Sequence, residues 1–332
     1  MVLGRAGRRR HTCQVVNLPS WTSVDPLGEA LHLLRMSGVF YSRSEASAPW
    51  GVQIPAMPDF LLFHAITGGR CWLETDGDPP RPLSRGDFAL LSHGEGHKLV
   101  SEPGQRALPL FDIPRDEVGD RYDVIRYGGD GAHTSLVCGA VRFDHPAARH
   151  LVSLLPRSII LEEAAADRHE WLPATLRLMA AEARELRPGG EAVITRLADI
   201  LVVQAIRSWM DHDPAAQTGW LGALKDRQLG RALAMIHRDP AYPWTVASLA
   251  RQATMSRSAF AARFTDIVGE PPLQYLTRWR MNLASTLLLE PNLGLADLAG
   301  RVGYQSEAAF SRAFKRHAGV SPGAARQRAR SA

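Results

Sequence analysis

Thr245-Val246-Ala247-Ser248-Leu249-Ala250-Arg251-Gln252-Ala253-Thr254-Met255-Ser256-Arg257-Ser258-Ala259-Phe260-Ala261-Ala262-Arg263-Phe264, closing at Gly269, decides the fold of the C-terminal third, because the chain repeats it. The second copy runs from Gly294 through Leu298-Ala299 and Gly303-Tyr304 to Ser306, Phe310, Phe314 and Gly319. Val246, Leu249 and Ala250 precede Leu295, Leu298 and Ala299 by 49 positions, whereas Ser256, Phe260, Phe264, Gly269 and Pro272 precede Ser306, Phe310, Phe314, Gly319 and Pro322 by 50. The step from one offset to the other puts a single extra residue in the second turn, near Gln305. In each copy a short helix carries a Leu-Ala step into a core, and a few turn residues follow. A serine then offers an N-cap oxygen to orphan backbone donors. Phenylalanines at i and i+4 bury one face of the next helix, and glycine closes it where a left-handed residue is required. This is a helix-turn-helix, used twice, in which the second helix of each unit enters a major groove. A joining helix from about Leu273 to Leu289 buries Leu276, Met281, Ala284 and Leu288 and carries Arg278 and Arg280. A rigid joint of this kind would hold the two recognition helices about one turn of B-DNA apart, roughly 34 Å.

Charge agrees with that placement. Residues 222–332 carry 16 Lys and Arg against 7 Asp and Glu, a net of +9, while the first 221 carry 23 against 27, a net of −4. A basic third on a mildly acidic remainder suits one nucleic-acid-binding domain, although an arginine-rich face can also be simply solvated. With the phenylalanines turned inward, the first recognition helix presents Arg257, Ser258, Ala261 and Ala262, and the second presents Gln305, Glu307, Ala308, Ser311 and Arg312. Arg257, Ser258, Gln305, Glu307, Ser311 and Arg312 are the candidate base readers, Arg312 first because a guanidinium fork pairs bidentately with guanine. The two alanines leave the first helix fewer specific contacts, with methyl contacts to thymine in their place. Ser256, Arg263, Ser306, Lys315 and Arg316 are placed for phosphates, which position a protein without specifying sequence.

Residues 222–330 resemble the DNA-binding domain of the AraC/XylS family of transcription regulators. The resemblance rests on Leu249-Ala250, Met255-Ser256-Arg257-Ser258, Phe260, Phe264, Gly269, Tyr275-Leu276, Arg280-Met281, Ala284, Leu287-Leu288, Leu298-Ala299, Val302-Gly303-Tyr304, Phe310-Ser311-Arg312-Ala313-Phe314, Gly319 and Ser321-Pro322. It implies double-stranded DNA as partner, contact with RNA polymerase, and activation more often than repression. One departure is Ala325 before Arg326, where the family has an aromatic residue before the arginine.

The N-terminal part reads differently. Between Val39 and Phe143 short apolar runs (Gly51–Ile54, Phe60–Ile66, Cys71–Leu73, Phe88–Leu91 and Leu136–Cys138) alternate with Gly, Pro and Asp clusters, the pattern of a β-sandwich or barrel. Gly86-Asp87 leading through Phe88–Leu91 to His93 and His97 resembles the second motif of the cupin barrel, with Ser92 where that family has proline. His64 stands where the first cupin motif supplies metal ligands, but alone. Phe63-His64, Cys71-Trp72-Leu73, Gly86-Asp87, His97 and Val137-Cys138-Gly139 look like the cupin sensor domains fused to AraC-type regulators. His64 and His97 would bind zinc or another transition metal if a third ligand came near, Cys138 foremost, then Cys71, His93 or His145. Otherwise they are hydrogen-bonded barrel histidines beside small apolar cysteines. No cofactor is certain from the sequence. A metal-dependent, dioxygenase-like cupin enzyme with a DNA-binding appendage is the competing class, and it needs three strong ligands and an open position.

From Pro146 to Asp213 the spacing of Leu172, Leu176 and Met179, and of Val193, Leu197, Leu201 and Ile206, is helical, with a break at Pro188-Gly189-Gly190. Val202 and Val203 widen the apolar face, either for packing within the domain or for a homodimer. Asp213 to Gly222 reads as a linker. The first 23 residues read as a flexible basic arm, and Val24 to Ser37 as a helix capped by Asp25. The expected fold class is therefore α+β: an N-terminal cupin-like β-barrel over 24–145, a helical dimerisation or linker segment over 146–213, and an all-α C-terminal domain with two helix-turn-helix units over 222–330. Apolar residues at 45% and charged residues at 22% exclude a disordered chain. The longest apolar runs fall far short of the ~18 residues that span a bilayer. No secretory or twin-arginine signal is complete, and 3 cysteines make no disulfide framework. A cytoplasmic protein without a membrane partner is expected, responding to a small effector, metal or oxidant.

Overall fold

The computed structural model describes residues 36–143, 151–163, 170–185, 187–217, 219–290 and 293–331. The basic arm, Cys13, the Asp25 cap and His145 lie outside the described residues. Met36 and Ser37, expected to end a helix, instead open the first strand.

The strands are β1 (Met36–Ser47), β2 (Gly51–Ile54), β3 (Phe60–Gly68), β4 (Arg70–Thr75), β5 (Arg81–Ser84), β6 (Phe88–Leu91), β7 (His97–Val100), β8 (Leu108–Pro109), β9 (Arg115–Gly119), β10 (Tyr122–Gly128), β11 (His133–Phe143) and β12 (Ser158–Leu161). They form a seven-stranded sheet in the order β12-β6-β3-β11-β1-β10-β9 and a five-stranded sheet in the order β5-β4-β7-β2-β8. The period of two explains why β3 is so apolar. Leu61, Phe63 and Ala65 face helices on the outside of the larger sheet, while Leu62 and Ile66 join Trp50, Ile54, Leu73, Leu83 and Leu99 in the interior shared by the two sheets. The expected barrel thus takes the form of two sheets around one apolar interior.

Two expectations are corrected. Ser158–Leu161 lies in the segment read as helical, yet it pairs antiparallel with β6, Ile159 opposite Leu90, and extends the sheet. Three consecutive apolar residues, Ile159 to Leu161, satisfy either periodicity, and the otherwise unpaired edge of β6 decides between them. The supposed linker from Asp213 is packed rather than loose: Pro214–Gln217 forms a 3-10 turn, and α3 (Gly219–Lys225) buries Trp220, Leu221, Ala223 and Leu224.

Helices α1 (Trp171–Glu185) and α2 (Gly190–His212) pack on each other, and α1 lies against β3 and β11. Val202 is fully buried and Val203 packs partly against the same core, so the wide apolar face of α2 is used within the chain. The C-terminal domain continues with α4 (Arg227–Arg238), α5 (Val246–Gln252), α6 (Arg257–Val268), α7 (Pro272–Leu287), α8 (Leu295–Arg301), α9 (Glu307–Ala318) and α10 (Pro322–Ser331). Its apolar residues divide into two cores. Leu249, Ala250, Phe260, Phe264, Tyr275 and Trp279 belong to one continuous core with α3, α4, α2, α1 and the outer face of the larger sheet. Met281, Ala284, Leu288, Leu298, Val302, Phe310 and Phe314 form a second core. Helix α7 spans both.

Candidate nucleic-acid interface and sensor cavity

The two copies share the bonds of the turn and of the recognition-helix caps, and differ at the start of the first helix, where Thr245 and Ser248 form a capping box and Gly294 offers no side chain. In the first turn the Met255 amide donates to the Ala250 carbonyl at 2.9 Å; in the second, Tyr304 donates to Ala299 at 2.8 Å. The left-handed residue of each turn is Thr254 (φ 53°) and Gly303 (φ 80°), which are 49 positions apart. The recognition helices start 50 apart, so the extra residue is Gln305, as the offsets require. Ser256 and Ser306 cap α6 and α9, their Oγ atoms accepting from the Ala259 and Ala309 amides at 3.3 and 3.2 Å. Gly269 and Gly319 close them at φ 86° and 73°, where a Cβ would be strained.

Arg257, Ser258, Gln305, Glu307 and Arg312 are exposed, and Ser311 is half-buried. They occupy the starts and open faces of the two recognition helices, opposite the buried phenylalanines. The pairs Arg257/Glu307 and Ala262/Arg312 are equivalent positions with unlike chemistry, so the two units present different donor and acceptor patterns. Lys315 and Arg316 are exposed in the last turn of α9, where they also complement the helix dipole. Arg263 is already engaged: its Nη2 lies 2.5 Å from Asp226 Oδ2, and its Nη1 donates to Gln228 Oε1 at 3.3 Å. Its guanidinium ties α6 to the start of α4, so a phosphate contact by Arg263 requires that this ion pair open.

The bonds made by Arg280, which ties the two units together, and by Arg326, within the second unit, were not legible in the sequence. Arg280 Nε donates to the Pro240 carbonyl at 2.7 Å and Nη2 to the Tyr242 carbonyl at 2.9 Å, while the guanidinium lies over the Tyr304 ring. A Cβ on Gly303 would come within 2.7 Å of Arg280 and 2.8 Å of the Ala241 carbonyl, so the glycine permits this close approach. Arg326 Nε and Nη2 donate to the Leu288 and Leu293 carbonyls at 3.2 and 2.7 Å. They satisfy orphan acceptors past the end of α7. Ala325 packs partly against the second core, in the place where an aromatic residue was expected.

In the sensor half His64 and Cys138 are register partners on β3 and β11, and His97 opens β7 in the other sheet. His64 Nδ1 lies 3.1 Å from Cys138 Sγ, His64 Nε2 lies 2.7 Å from His97 Nε2, and His97 Nδ1 lies 3.1 Å from the Glu95 carbonyl oxygen. The carbonyl can only accept, which sets the tautomers. His97 donates from Nδ1 and accepts at Nε2; His64 donates from Nε2 and accepts at Nδ1; the Cys138 thiol donates to His64. Burial pushes the His97 pKa down to about 4 and that of His64 well below the usual imidazole value, with a further push from His97. Burial raises the Cys138 thiol, and Cys71 goes up to about 12 through burial and then the Asp87 charge.

This corrects the metal expectation. The two nitrogens of His64 point to opposite partners, so His64, His97 and Cys138 form a line and do not converge on one ion. The alternatives do not help: His93 Nε2 donates to the Leu155 carbonyl at 3.0 Å, and Cys71 is a core residue. Among the described residues no group of three His, Cys, Asp or Glu is placed to hold a metal. The Gly86-Asp87 motif serves the backbone, with the Asp87 carboxylate accepting from the Ser84 and Glu163 amides at 2.7 and 2.9 Å.

Beside the His64–Cys138 pair lies a cavity of about 330 Å³ between the sheets. Ser42, Ser44 and Ala46 of β1 line it, with Trp50, Met57, Leu62, Phe111, Tyr127 and Leu136 among the others. The intervening residues of β1 face the other way. Tyr41 joins the outer core, and Arg43 Nη1 donates to the Ala183 carbonyl at 3.0 Å in the last turn of α1.

The comparisons agree with both halves. A cupin family model matches residues 25–211, and a helix-turn-helix domain model matches 249–328. The chain belongs to the AraC-like transcription regulators that carry an N-terminal cupin domain. An AraC-like protein of Streptomyces lividans is 37% identical over 302 residues, 90% of this chain and 97% of its own length. The HTH-type transcriptional regulator AlkR of Acinetobacter baylyi is 32% identical over 304 residues, 90% of this chain and 98% of its own. The crystallised DNA-binding domain of AdpA, a global transcriptional factor in complex with a target DNA, is 34% identical, with a TM-score of 0.29, covering 30% of this chain and 90% of that one. This chain is a DNA-binding transcription regulator. Among the described residues no helix is long and apolar enough to cross a membrane.

Proposed function

We propose that the sandwich senses a small effector and biases how the two recognition helices are presented to successive major-groove segments. One observation carries this reading: a single buried core runs from the outer face of the cavity-bearing sheet through α1, α2, α3 and α4 to Phe260 and Phe264 of the first recognition helix. A change in β1 or β11 therefore has packed side chains to act on all the way to the DNA-reading surface. Lys225 strengthens the path, bonding from the end of α3 to the Met210 carbonyl and pairing with Asp211, both on α2. The linear His–Cys arrangement and the neutral thiol favour an organic effector over a metal or an oxidant. Among the described residues they equally give a cupin-type oxygenase no ligand set.

The reading includes Arg312 as the chief base reader, with Arg257, Ser258, Gln305, Glu307 and Ser311, and Ser256, Ser306, Lys315 and Arg316 on phosphates. It includes a homodimer, for which Val193 and Ile200, seven residues apart on α2, offer exposed apolar surface. It also includes activation in the cytoplasm through contact with RNA polymerase. Selection of genomic fragments followed by footprinting tests the core of it. The expected footprint has two protected segments about one helical turn apart, roughly 34 Å. Affinity should exceed that for random DNA by ~10³ or more. Equal affinity for random DNA overturns the reading.

A further inference from the structure

We propose that the cavity between the sheets is the effector site and that its ligand is an uncharged, largely apolar molecule carrying a hydrogen-bond acceptor for the indole N–H of Trp50. This inference rests on the reading of the chain as an effector-responsive regulator and names the chemical class of the effector.

The lining sets the class. Among the described residues no Asp, Glu, Lys or Arg lines the cavity, and its wall is built from residues such as Phe40, Val52, Ile54, Met57, Leu99 and Ile125. A carboxylate or an ammonium group entering it would lose its hydration without gaining a counter-charge. A sugar would strand most of its hydroxyls for the same reason. His64 and Cys138 are no remedy, because the thiol is spent on His64 Nδ1 and the remaining imidazole nitrogens are spent on one another and on the Glu95 carbonyl. Both imidazoles are neutral, so they add no charge to the wall.

Two polar groups are left over among the described residues. Trp50, only 2% exposed, and Tyr127 both line the cavity, and neither the Trp50 Nε1 nor the Tyr127 hydroxyl has a hydrogen-bond partner among the described residues; the indole N–H is the one that can only donate. A buried donor left unpaired is costly, and an acceptor on the ligand removes that cost. The indole is fixed edge-on against Tyr127, with ring centroids 6.3 Å apart, so the donor is held in place before any ligand arrives. Size follows from volume. A dry apolar cavity of ~150 Å³ holds benzene. The 330 Å³ here scales to about ten to fifteen non-hydrogen atoms. Occupancy has a route outward, because Ser42, Ser44 and Ala46 touch the ligand space while Tyr41 and Arg43, alternating with them, hold the outer core and the end of α1.

The test uses the full-length protein and four probes: 2-acetylnaphthalene, naphthalene, 2-naphthoate and glucose. Titration calorimetry at neutral pH gives each affinity, and DNA affinity is measured with and without the ketone on a selected fragment. The ketone is expected to bind one per chain. Naphthalene should bind about three- to tenfold more weakly for want of the acceptor. Naphthoate, nearly the same shape but charged, should be weaker than the ketone by more than about tenfold, and glucose should not bind. Trp50→Phe should remove the preference for ketone over naphthalene. Val52→Phe, at a half-buried wall position, should weaken both. Tighter binding of naphthoate or glucose than of the ketone, no ketone binding at all, or an unchanged ketone preference in Trp50→Phe overturns the ligand class. If the ketone binds as described but DNA affinity and oligomeric state stay fixed, the site assignment stands and the effector-responsive reading fails.

Discussion

The Arg263 guanidinium, on the first recognition helix, lies 2.5 Å from the Asp226 carboxylate that caps the helix joining the DNA-binding domain to the sensor. Asp226 Oδ1 also accepts from the Gln228 and Leu229 amides, both at 2.9 Å. One carboxylate therefore starts α4 and anchors α6. Asp226→Ala removes the cap and the ion pair together, and a loss of about 1–2 kcal/mol is expected. Asp226→Asn keeps a capping oxygen and should recover most of it. Urea melts of the three proteins decide: an alanine variant as stable as wild type removes the anchoring role.

Arg312 and Lys315 are expected to fail in different ways. Arg312→Ala should cost ~1–3 kcal/mol on the best site and relax selection at one base pair. Lys315→Ala should weaken every sequence alike and lower the salt slope by about 1. Footprints and salt titrations separate the two. An Arg312→Ala protein with wild-type preference at every operator position would remove Arg312 from the base-reading set.

Thr254 holds φ 53° in the first turn, where Gly303 serves the second. A β-branched residue is strained there. Thr254→Gly should raise stability by up to about 1 kcal/mol, the relief of strain outweighing the added freedom of the unfolded chain. A lower melting temperature for this variant contradicts the account.

The His64–His97 pair makes stability depend on pH with a definite sign. Both folded pKa values are depressed, that of His97 to about 4 from 6.5, so between those values the unfolded chain binds more protons. Stability is fully present above about pH 6.5 and is lost as pH falls toward 4, by at most about 1.4 kcal/mol per pH unit for each histidine. Replacing the pair, His64→Asn with His97→Gln, should flatten this slope. Parallel curves for wild type and the double variant rule out the pair as its source.

Arg326→Ala leaves the Leu288 and Leu293 carbonyls without their charged donor. Hydrogen bonds to charged groups contribute about 1.5–3 kcal/mol. Faster amide exchange is expected in α8, α9 and α10, with the sandwich unchanged. Uniform exchange across the whole chain would show that the second core is not a separate unit.

Local rules made much of this legible. Ser256 with Phe260/Phe264 and Ser306 with Phe310/Phe314 carry cap and apolar face within a few residues, so both recognition helices could be placed, and Gln305 followed from the offsets. Gly51–Ile54 and Phe88–Leu91 fell where the structure has strands for a similar reason, being bounded by turn residues. What escaped depends on distant partners. Ser158–Leu161 is a strand because β6 has a free edge, and Trp220 turns a Pro- and Gly-rich stretch into packed structure. That His64 would bond Cys138 and His97 along a line, rather than around a point, depends on a three-strand register across two sheets. Arg280 and Arg326 serve carbonyls 33 to 40 residues away in sequence, and no local pattern announces such a bond.

The burial of Trp220 sets where the gene can be cut. A fragment beginning at the first repeat, near Thr245, would strip Leu249, Phe260 and Phe264 of the α3–α4 hairpin that shields them, and the exposed oily face would favour clumping over folding. An excised reader has to begin at Gly219 or earlier, so that any modular exchange of sensors within this architecture carries the hairpin along as part of the cargo.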